Sequence, residues 1–223
     1  MPFAAVLFDL DGTLLDTIAD IADATNAMLA DLERSPVSQA LIRSYVGKGT
    51  KNLIARVLSE HHDGLGCKPD EIERAMALFS RHYGRLNGDK TILYPGALEG
   101  LEDFQEQGAK LAIVTNKSAE FTPPLLARMG IDHFFEHVIC GDTCTERKPH
   151  PMSMLHACEL LRVAPSDTLA IGDSINDARA AQAAKIKVLA VPYGYNEGVD
   201  VRTLEVDDIV TSIEAAARWA AQH

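Results

Sequence analysis

From residue 91 onward, short apolar runs alternate with longer amphipathic segments, and one more apolar run stands at residues 4–8. The runs have the length of strands, and the segments have the spacing of helices that bury one face. Apolar strands separated by helices indicate a parallel sheet covered on both faces, so the pattern predicts an α/β fold with a doubly wound, Rossmann-like sheet. The other runs lie at residues 110–114, 137–140, 168–171 and 187–191, and the helices near residues 97–107, 118–129, 151–162, 176–185 and 211–221.

Residues 17–90 interrupt this alternation with helical spacing alone. Their apolar side chains recur at three- and four-residue steps in three stripes, around Ile21, Ile54 and Phe79. Residues 17–90 hold 10 acidic and 10 basic side chains, so the net charge of −11 lies entirely in the rest of the chain. We therefore expect an α/β core made of residues 1–16 and 91–223, with an all-helical cap, residues 17–90, inserted after the first strand.

The charge balance and the apolar pattern exclude several classes of protein. With 21 basic and 32 acidic side chains, the chain has the wrong sign for binding nucleic acid or anionic lipid surfaces. No apolar stretch approaches the ~18 residues of a membrane span, and the apolar start lacks a basic leader. The four cysteines are expected to be reduced thiols, because Cys140 and Cys144 lack the second pair of a zinc site. We expect a cytoplasmic monomer or homodimer with no nucleic-acid or membrane partner.

The first candidate site follows the first strand, where Asp9 and Asp11 precede Gly12. Carboxylates at the carboxyl end of a strand face the crevice where open α/β sheets bind ligands, and glycine permits an abrupt turn there. A calcium-binding loop is a competing interpretation of Asp-x-Asp-Gly. Such a loop needs regularly spaced oxygen ligands and a glutamate at its twelfth position, which is Asp20 here. The calcium interpretation therefore fails, and an acidic loop or a ligand site remains.

Two further signals are weak when each is taken alone. Thr115 and Asn116 come directly after the run at residues 110–114, where a hydroxyl is more simply the N-cap of the next helix. Lys148 is followed by two prolines, Pro149 and Pro151, which fix the backbone that presents its ammonium group. Most lysines in loops are merely solvated, so these positions gain meaning only from the rest of the pattern.

The last candidate site follows the run at residues 168–171, where Asp173 and Asp177 add two carboxylates. Asp173 or Ser174 could instead cap the following helix. Taken together, the carboxylates, a hydroxyl and a lysine are the groups that magnesium-assisted phosphoryl transfer requires. Magnesium prefers oxygen ligands, and cationic or hydroxyl groups stabilise charge on the phosphoryl oxygens.

These residues, in this order, resemble the four motifs of the haloacid dehalogenase superfamily of phosphohydrolases, over residues 8–196. The insertion of helices between the first and second motifs is similar to that of members with a small helical cap. The four motifs are Asp9-Leu10-Asp11-Gly12-Thr13-Leu14, Thr115, Lys148-Pro149 and Gly172-Asp173-Ser174-Ile175-Asn176-Asp177.

The resemblance implies a two-step phosphatase reaction. Asp9 is the implied nucleophile, which forms an aspartyl-phosphate and so replaces one difficult displacement by two easier ones. Asp11 is the implied general acid for the leaving alkoxide and then the general base for the attacking water. Thr115 and Lys148 are implied to stabilise charge on the transferring phosphoryl group.

The same resemblance implies Mg²⁺ as the cofactor. Its implied ligands are the carboxylates of Asp9 and Asp173 and the backbone carbonyl of Asp11. Asp177 and Ser174 are implied to lie behind these ligands, with Asp177 orienting Lys148 or metal-bound water.

Two stretches resemble members of the superfamily that hydrolyse 2-phosphoglycolate: residues 45–49, Tyr-Val-Gly-Lys-Gly, and residues 193–196, Tyr-Gly-Tyr-Asn. Amides of a Gly-x-Gly loop can approach an anion, and a lysine within it can meet a small carboxylate; a flexible turn between two helices is an equal alternative. The implied substrate is a small anionic phosphate ester, bound by Thr13, Gly47, Lys48 and Asn116.

Other functions stay open at this point. Many of those members carry asparagine where this chain has Lys48. The alternatives are therefore a phosphatase that acts on another small phosphomonoester or on pyrophosphate, or a sugar phosphomutase. A non-catalytic module that binds phosphate ligands is an alternative of another class. We expect a non-catalytic member to lack Asp9, Asp11, Lys148 or Asp173, whereas this chain has all four.

Overall fold

The computed structural model describes residues 3–59, 61 and 63–223. Along this part of the chain, a six-stranded parallel sheet and a two-stranded antiparallel pair form. The strands are β1 (Ala5–Phe8), β2 (Leu15–Asp16), β3 (Ile92–Leu93), β4 (Lys110–Val114), β5 (His137–Ile139), β6 (Thr168–Gly172), β7 (Lys187–Ala190) and β8 (Asp208–Ile209). The large sheet has the order β5-β4-β1-β6-β7-β8, and β2 pairs with β3.

The helices follow the strands in alternation outside the region between β2 and β3. They are α1 (Ile18–Asp31), α2 (Gln39–Tyr45), α3 (Thr50–Ser59), α4 (Pro69–Leu86), α5 (Ala97–Glu106), α6 (Thr122–Met129), α7 (Met152–Leu161), α8 (Ile175–Ala184) and α9 (Ile213–Ala220). Among the helices of the described residues, none combines the length and the apolar character that crossing a bilayer would require.

Strand β1 lies at the centre of the sheet, between β4 and β6, and all of its residues are buried. Its side chains alternate between the two faces, as the period of a strand requires. Val6 and Phe8 pack in one apolar cluster with Phe104 of α5, whereas Leu7 packs in another with Met154 of α7. The prediction of a parallel α/β sheet covered on both faces is therefore confirmed.

Between β2 and β3, the described residues form four helices with an apolar cluster of their own. This cluster includes Tyr45 of α2 and Tyr83 of α4, and it also takes in Phe121 and Tyr195 from the sheet-containing part of the chain. The apolar stripes in the sequence did not indicate α2, which at seven residues is too short to show a period. Its start is marked by Ser38, whose hydroxyl accepts a hydrogen bond from the amide of Leu41 at 3.3 Å.

The chain enters and leaves this helical segment at one place. Strands β2 and β3 pair antiparallel there, and the buried carboxylate of Asp20 in α1 accepts hydrogen bonds from the returning chain. The donors are the amides of Gly88, Lys90 and Thr91 at 3.0, 2.8 and 3.0 Å and the hydroxyl of Thr91 at 2.6 Å. A buried carboxylate is costly unless its oxygens are hydrogen-bonded, and these four bonds meet that need. The division into a core and a cap at residues 17–90 stays a prediction.

Candidate active site

The candidate site lies at the carboxyl ends of three adjacent strands. Asp9 follows β1, Thr115 follows β4 and Asp173 follows β6, and because these strands are parallel and in register, their carboxyl ends meet at one edge of the sheet. A cavity of about 60 Å³ opens there, and its lining includes Asp9, Asp11, Thr115, Lys148 and Asp173. The structure thus brings these five predicted residues together.

Lys148 is fixed by three hydrogen bonds from its ammonium group. Nζ donates to Asp9 Oδ1 at 2.8 Å, to Asp177 Oδ1 at 2.6 Å and to the backbone carbonyl of Val114 at 2.6 Å. An ammonium group has three protons to donate, so its capacity is fully used. Since the side chain is only 2% exposed, its charge is held between the two carboxylates.

The site holds more negative charge than Lys148 neutralises. Burial raises the pKa of Asp9 to about 6, with Lys148 opposing that rise and the charge of Asp177 adding to it. Burial, with the charges of Asp9 and Asp177, raises the pKa of Asp173 well above its usual range. Burial acts to lower the pKa of Lys148, but the charges of Asp177 and Asp9 outweigh it and the pKa is raised. An excess of buried carboxylate favours a cation.

The carboxylate oxygens of Asp9, Asp173 and Asp177 lie within 4.8 Å of one another. Both oxygens of Asp177 already accept hydrogen bonds, Oδ1 from Lys148 and Oδ2 from the amide and hydroxyl of Ser174 at 3.2 and 2.6 Å. Ser174 is also the N-cap residue of α8, as the alternative interpretation of the sequence has it. The three carboxylates fit a hard divalent cation, and the assignment of Asp9 and Asp173 as its ligands with Asp177 behind them stays a prediction.

Asp173 is held in place by its neighbours. Oδ1 accepts from the hydroxyl of Thr13 at 3.2 Å, and Oδ2 accepts from the amide of Tyr195 at 2.5 Å. Gly12 has a φ of +92°, and a Cβ at this position would lie 2.5 Å from Asp173 Oδ2, so the turn requires glycine. Thr13, predicted to bind substrate, is fully buried and its hydroxyl supports Asp173.

Thr115 is buried beside the cavity, and its hydroxyl accepts from the amide of Lys117 at 3.2 Å. The alternative interpretation of Thr115 as a helix N-cap is wrong, because α6 begins at Thr122, seven residues later. Two prolines stand in the first turn of α6, which is the position in a helix that tolerates them. Thr115 thus lines the cavity without capping a helix, and its role in charge stabilisation stays a prediction.

Lys117 is a functional candidate to which the sequence analysis gave no role. Its Nζ lies 3.1 Å from both carboxylate oxygens of Asp11 and donates to the hydroxyl of Tyr83 in α4 at 2.6 Å. The signal in the sequence was a second lysine directly after the strand-end residues Thr115 and Asn116. Its contact with Tyr83 joins two distant segments of the chain, which a local pattern does not reveal.

Of the predicted substrate-binding residues, Gly47 and Asn116 lie at the cavity, whereas the ammonium of Lys48 is held in an ion pair. Gly47 lines the cavity, and its carbonyl accepts from Asn116 Nδ2 at 2.9 Å. Asn116 also donates to the carbonyl of Lys148 at 2.9 Å and so joins three segments. The ammonium of Lys48 pairs with Glu197 at 3.1 Å, and buried Arg56 pairs with the same carboxylate oxygen at 3.0 Å. The roles of Gly47, Lys48 and Asn116 in binding stay predictions.

Comparisons with known proteins found similar sequences and structures over nearly the whole chain. The model of the haloacid dehalogenase-like hydrolase family matches residues 6–191. The phosphoglycolate phosphatase of Nitrosospira multiformis is 46% identical over 98% of this chain and 96% of its own length, and that of Thiobacillus denitrificans is 43% identical over 97% and 95%. A crystal structure described as a predicted phosphoglycolate phosphatase from Haemophilus somnus superimposes with a TM-score of 0.90, at 31% identity and 99% coverage of both chains.

Proposed function

This chain belongs to the haloacid dehalogenase-like hydrolase family, and from that premise we propose that it hydrolyses 2-phosphoglycolate to glycolate and phosphate. One observation carries the proposal: Asp9, Asp11, Lys148 and Asp173, which come from three separate stretches of the sequence, line a single cavity at the carboxyl end of the sheet. The names of relatives at 46% and 43% identity support the substrate.

We propose Mg²⁺ as the cofactor, held by the carboxylates of Asp9 and Asp173 and the backbone carbonyl of Asp11. The close approach of the Asp9 and Asp173 carboxylates, and the raised pKa of each, support this assignment because a divalent cation would offset their repulsion. When bound, the ion neutralises charge on the phosphate and so lets an anionic nucleophile approach it.

In the first step, an oxygen of Asp9 attacks phosphorus in line with the ester oxygen. A bond forms between Asp9 and phosphorus, the bond from phosphorus to the ester oxygen breaks with its electron pair on that oxygen, and Asp11 gives it a proton. In the second step, the Asp11 carboxylate takes a proton from water as the water oxygen attacks phosphorus. The bond from phosphorus to Asp9 breaks, phosphate leaves and both carboxyl groups return to their initial state.

Lys148 has a separate part in this scheme. Its ammonium lies 2.8 Å from Asp9 Oδ1, so the proton that it donates to that carboxylate can turn to an oxygen of a phosphoryl group bound beside it. Such a preorganised, buried charge stabilises a transition state at little reorganisation cost. Asp177 and the Val114 carbonyl keep the ammonium in position throughout both steps.

Residues 17–90 limit what reaches this site. We propose that they act as a cap on a core formed by residues 1–16 and 91–223, and that the enzyme works in the cytoplasm. Apolar side chains from this segment, Ile21, Val46, Leu53 and Phe79, line the same cavity as Asp9. A small cavity with this lining favours a short ester and disfavours a polyhydroxylated sugar phosphate.

A panel of substrates tests the function. Phosphate release is measured from 2-phosphoglycolate, several sugar phosphates and pyrophosphate, each with and without Mg²⁺. We expect kcat/KM for 2-phosphoglycolate to exceed the others by at least about 100-fold and to depend on Mg²⁺, because fit and charge are matched only there. Equal rates on all esters would overturn the substrate but keep the reaction class. Isomerisation of a sugar phosphate with little phosphate release would point to a phosphomutase.

Binding of Mg²⁺ is expected to depend on pH. A proton and a metal ion compete for the same carboxylates, so affinity should fall as the pH drops through about 6, the pKa of Asp9. At pH 7.5 and a Mg²⁺ concentration of 100 times Kd, binding should stabilise the fold by about 2.7 kcal/mol. Thermal unfolding with and without Mg²⁺ at pH 7.5 and 5 measures this. Asp173→Asn should remove most of the stabilisation, and a shift that is equal at both pH values would contradict the site.

A further inference from the structure

Two lysines reach the candidate site among the cavity-lining residues, and each holds one of the two aspartates that follow β1. Lys148 contacts Asp9, and Lys117 contacts Asp11. The other partners of Lys148, Val114 and Asp177, belong to the sheet and to the helix that follows it. The remaining partner of Lys117 is Tyr83, which lies in the helical segment between β2 and β3.

Tyr83 is well placed to act on Lys117. Its ring stacks on Phe79 at 5.2 Å between centroids and meets Phe121 edge-on at 4.9 Å, so it is packed at the contact between the helical segment and the rest of the chain. The hydroxyl accepts from Lys117 Nζ at 2.6 Å, and the ammonium also lies 4.7 Å from the centre of the ring. Both kinds of contact hold the ammonium, and only the first depends on the hydroxyl.

The position of Lys117 in turn fixes Asp11. Its Nζ is equidistant, at 3.1 Å, from the two oxygens of that carboxylate, and the side chain of Lys117 is only 5% exposed. A buried ammonium held from one side by a tyrosine can hold a carboxylate in one orientation on its other side. Proton donation depends steeply on such an orientation, because the donor has to lie within hydrogen-bond reach of the leaving oxygen.

We propose that Tyr83 is a positioning residue for the reaction, whose hydroxyl holds Lys117 and through it aims Asp11 at the leaving oxygen. The inference rests on the proposed function, in which Asp11 protonates the leaving group. It adds that the helical segment supplies Tyr83, the residue that brings the general acid Asp11 into position for the first step. The hydrogen bond that Lys117 donates to Tyr83 thereby links the docking of the helical segment to the protonation of the leaving group.

The test compares two leaving groups in single-turnover experiments on wild-type protein and Tyr83→Phe. The alkoxide of 2-phosphoglycolate needs a proton to leave, whereas acetate from acetyl phosphate, a probe of similar size, leaves as a stable anion. For Tyr83→Phe, loss of 2-phosphoglycolate should slow by about 10-fold and loss of acetyl phosphate by less than about 2-fold, because only the first reaction uses the acid. A general loosening of the packing would slow both reactions equally, and that result would overturn the proposal.

A double-mutant cycle shows whether Tyr83 acts through Lys117. Lys117→Met should slow the reaction of 2-phosphoglycolate at least as much as Tyr83→Phe, and adding Tyr83→Phe to it should change the rate by less than about 2-fold. Effects that multiply would contradict the proposal. Should Lys117→Met fail to fold, the ratio of the two substrates in Tyr83→Phe alone decides.

The wild-type reaction tests the proposed function, and the substrate ratio in Tyr83→Phe tests the role of Tyr83. Wild-type protein that leaves 2-phosphoglycolate intact would overturn the function itself. Wild-type protein that hydrolyses it, with an unchanged substrate ratio in Tyr83→Phe, would overturn only the role of Tyr83.

Discussion

Asp9→Asn should abolish phosphate release, lowering turnover by about 10⁴-fold or more, because an amide cannot form the covalent bond to phosphorus that the first step requires. The side chains have nearly the same shape, so Lys148 can still donate to the remaining oxygen. The measurement is phosphate release from 2-phosphoglycolate at saturating Mg²⁺, together with a search for phosphorylated protein in quenched samples. Turnover at the wild-type rate would show that Asp9 is not the nucleophile.

The same variant should fold at least as stably as the wild type without metal at pH 7.5. The pKa of Asp9 is raised from 3.8 to about 6 in the folded protein, so the folded state favours the neutral carboxyl. The stabilisation that the neutral carboxyl gives the folded state is complete below pH 3.8 and is lost as the pH rises through about 6. Asparagine is neutral at every pH and loses nothing. Asp132→Asn, at an exposed position, is the matched control and should change neither turnover nor stability. An unfolding midpoint for Asp9→Asn well below that of the wild type would contradict the raised pKa.

Lys148→Met should have the second largest effect, lowering turnover by about 10³-fold, because a preorganised charge beside the phosphoryl group is lost. The same change leaves Asp9 and Asp177 without the ammonium that lies between them. Removing one partner of a buried ion pair costs about 3 kcal/mol, so the free energy of unfolding should fall by this amount. Phosphate release and urea denaturation of the same preparation measure the two effects.

Lys110→Met is the control for this substitution. Lys110 also donates from Nζ to a backbone carbonyl, that of Leu161 at 2.7 Å, but it lies on β4 away from the cavity. We expect wild-type turnover and a loss of stability of about 1 kcal/mol, the value of one hydrogen bond. If Lys148→Met resembled Lys110→Met in turnover, Lys148 would be a structural residue alone.

The fold could be predicted from the sequence where local patterns are long enough to show a period. Apolar runs located β1, β4, β5, β6 and β7, and their order with the helices established the parallel sheet. The two-residue strands β2, β3 and β8 escaped prediction, because their pairing depends on partners that are distant in the chain. Helix α2 was not predicted either, because its seven residues make fewer than two turns and its apolar positions are too few to show a period.

The candidate site was predictable where each residue follows a strand, since parallel strands bring their carboxyl ends to one edge. Asp9, Thr115 and Asp173 are examples, and Lys148 was added through the order of the motifs. The pairing of Lys48 with Glu197 joins positions 149 residues apart, and that of Lys117 with Asp11 joins positions 106 apart. The first pair depends on how the helical segment docks and the second on how two strand ends meet, and neither has a local signal in the sequence.

The hydrogen bonds of Asp20 and the pairing of β2 with β3 have a consequence for how such a protein can diversify. Paired strands lie about 4.8 Å apart, so the excised ends of the inserted segment would be close enough to be joined by a tight turn. Any helical unit whose own termini meet at that spacing can be exchanged there without altering the register of the sheet. Selectivity, together with the contact that Tyr83 makes with Lys117, can then be inherited as a cassette, while Asp9, Asp11, Lys148 and Asp173 are passed on unchanged.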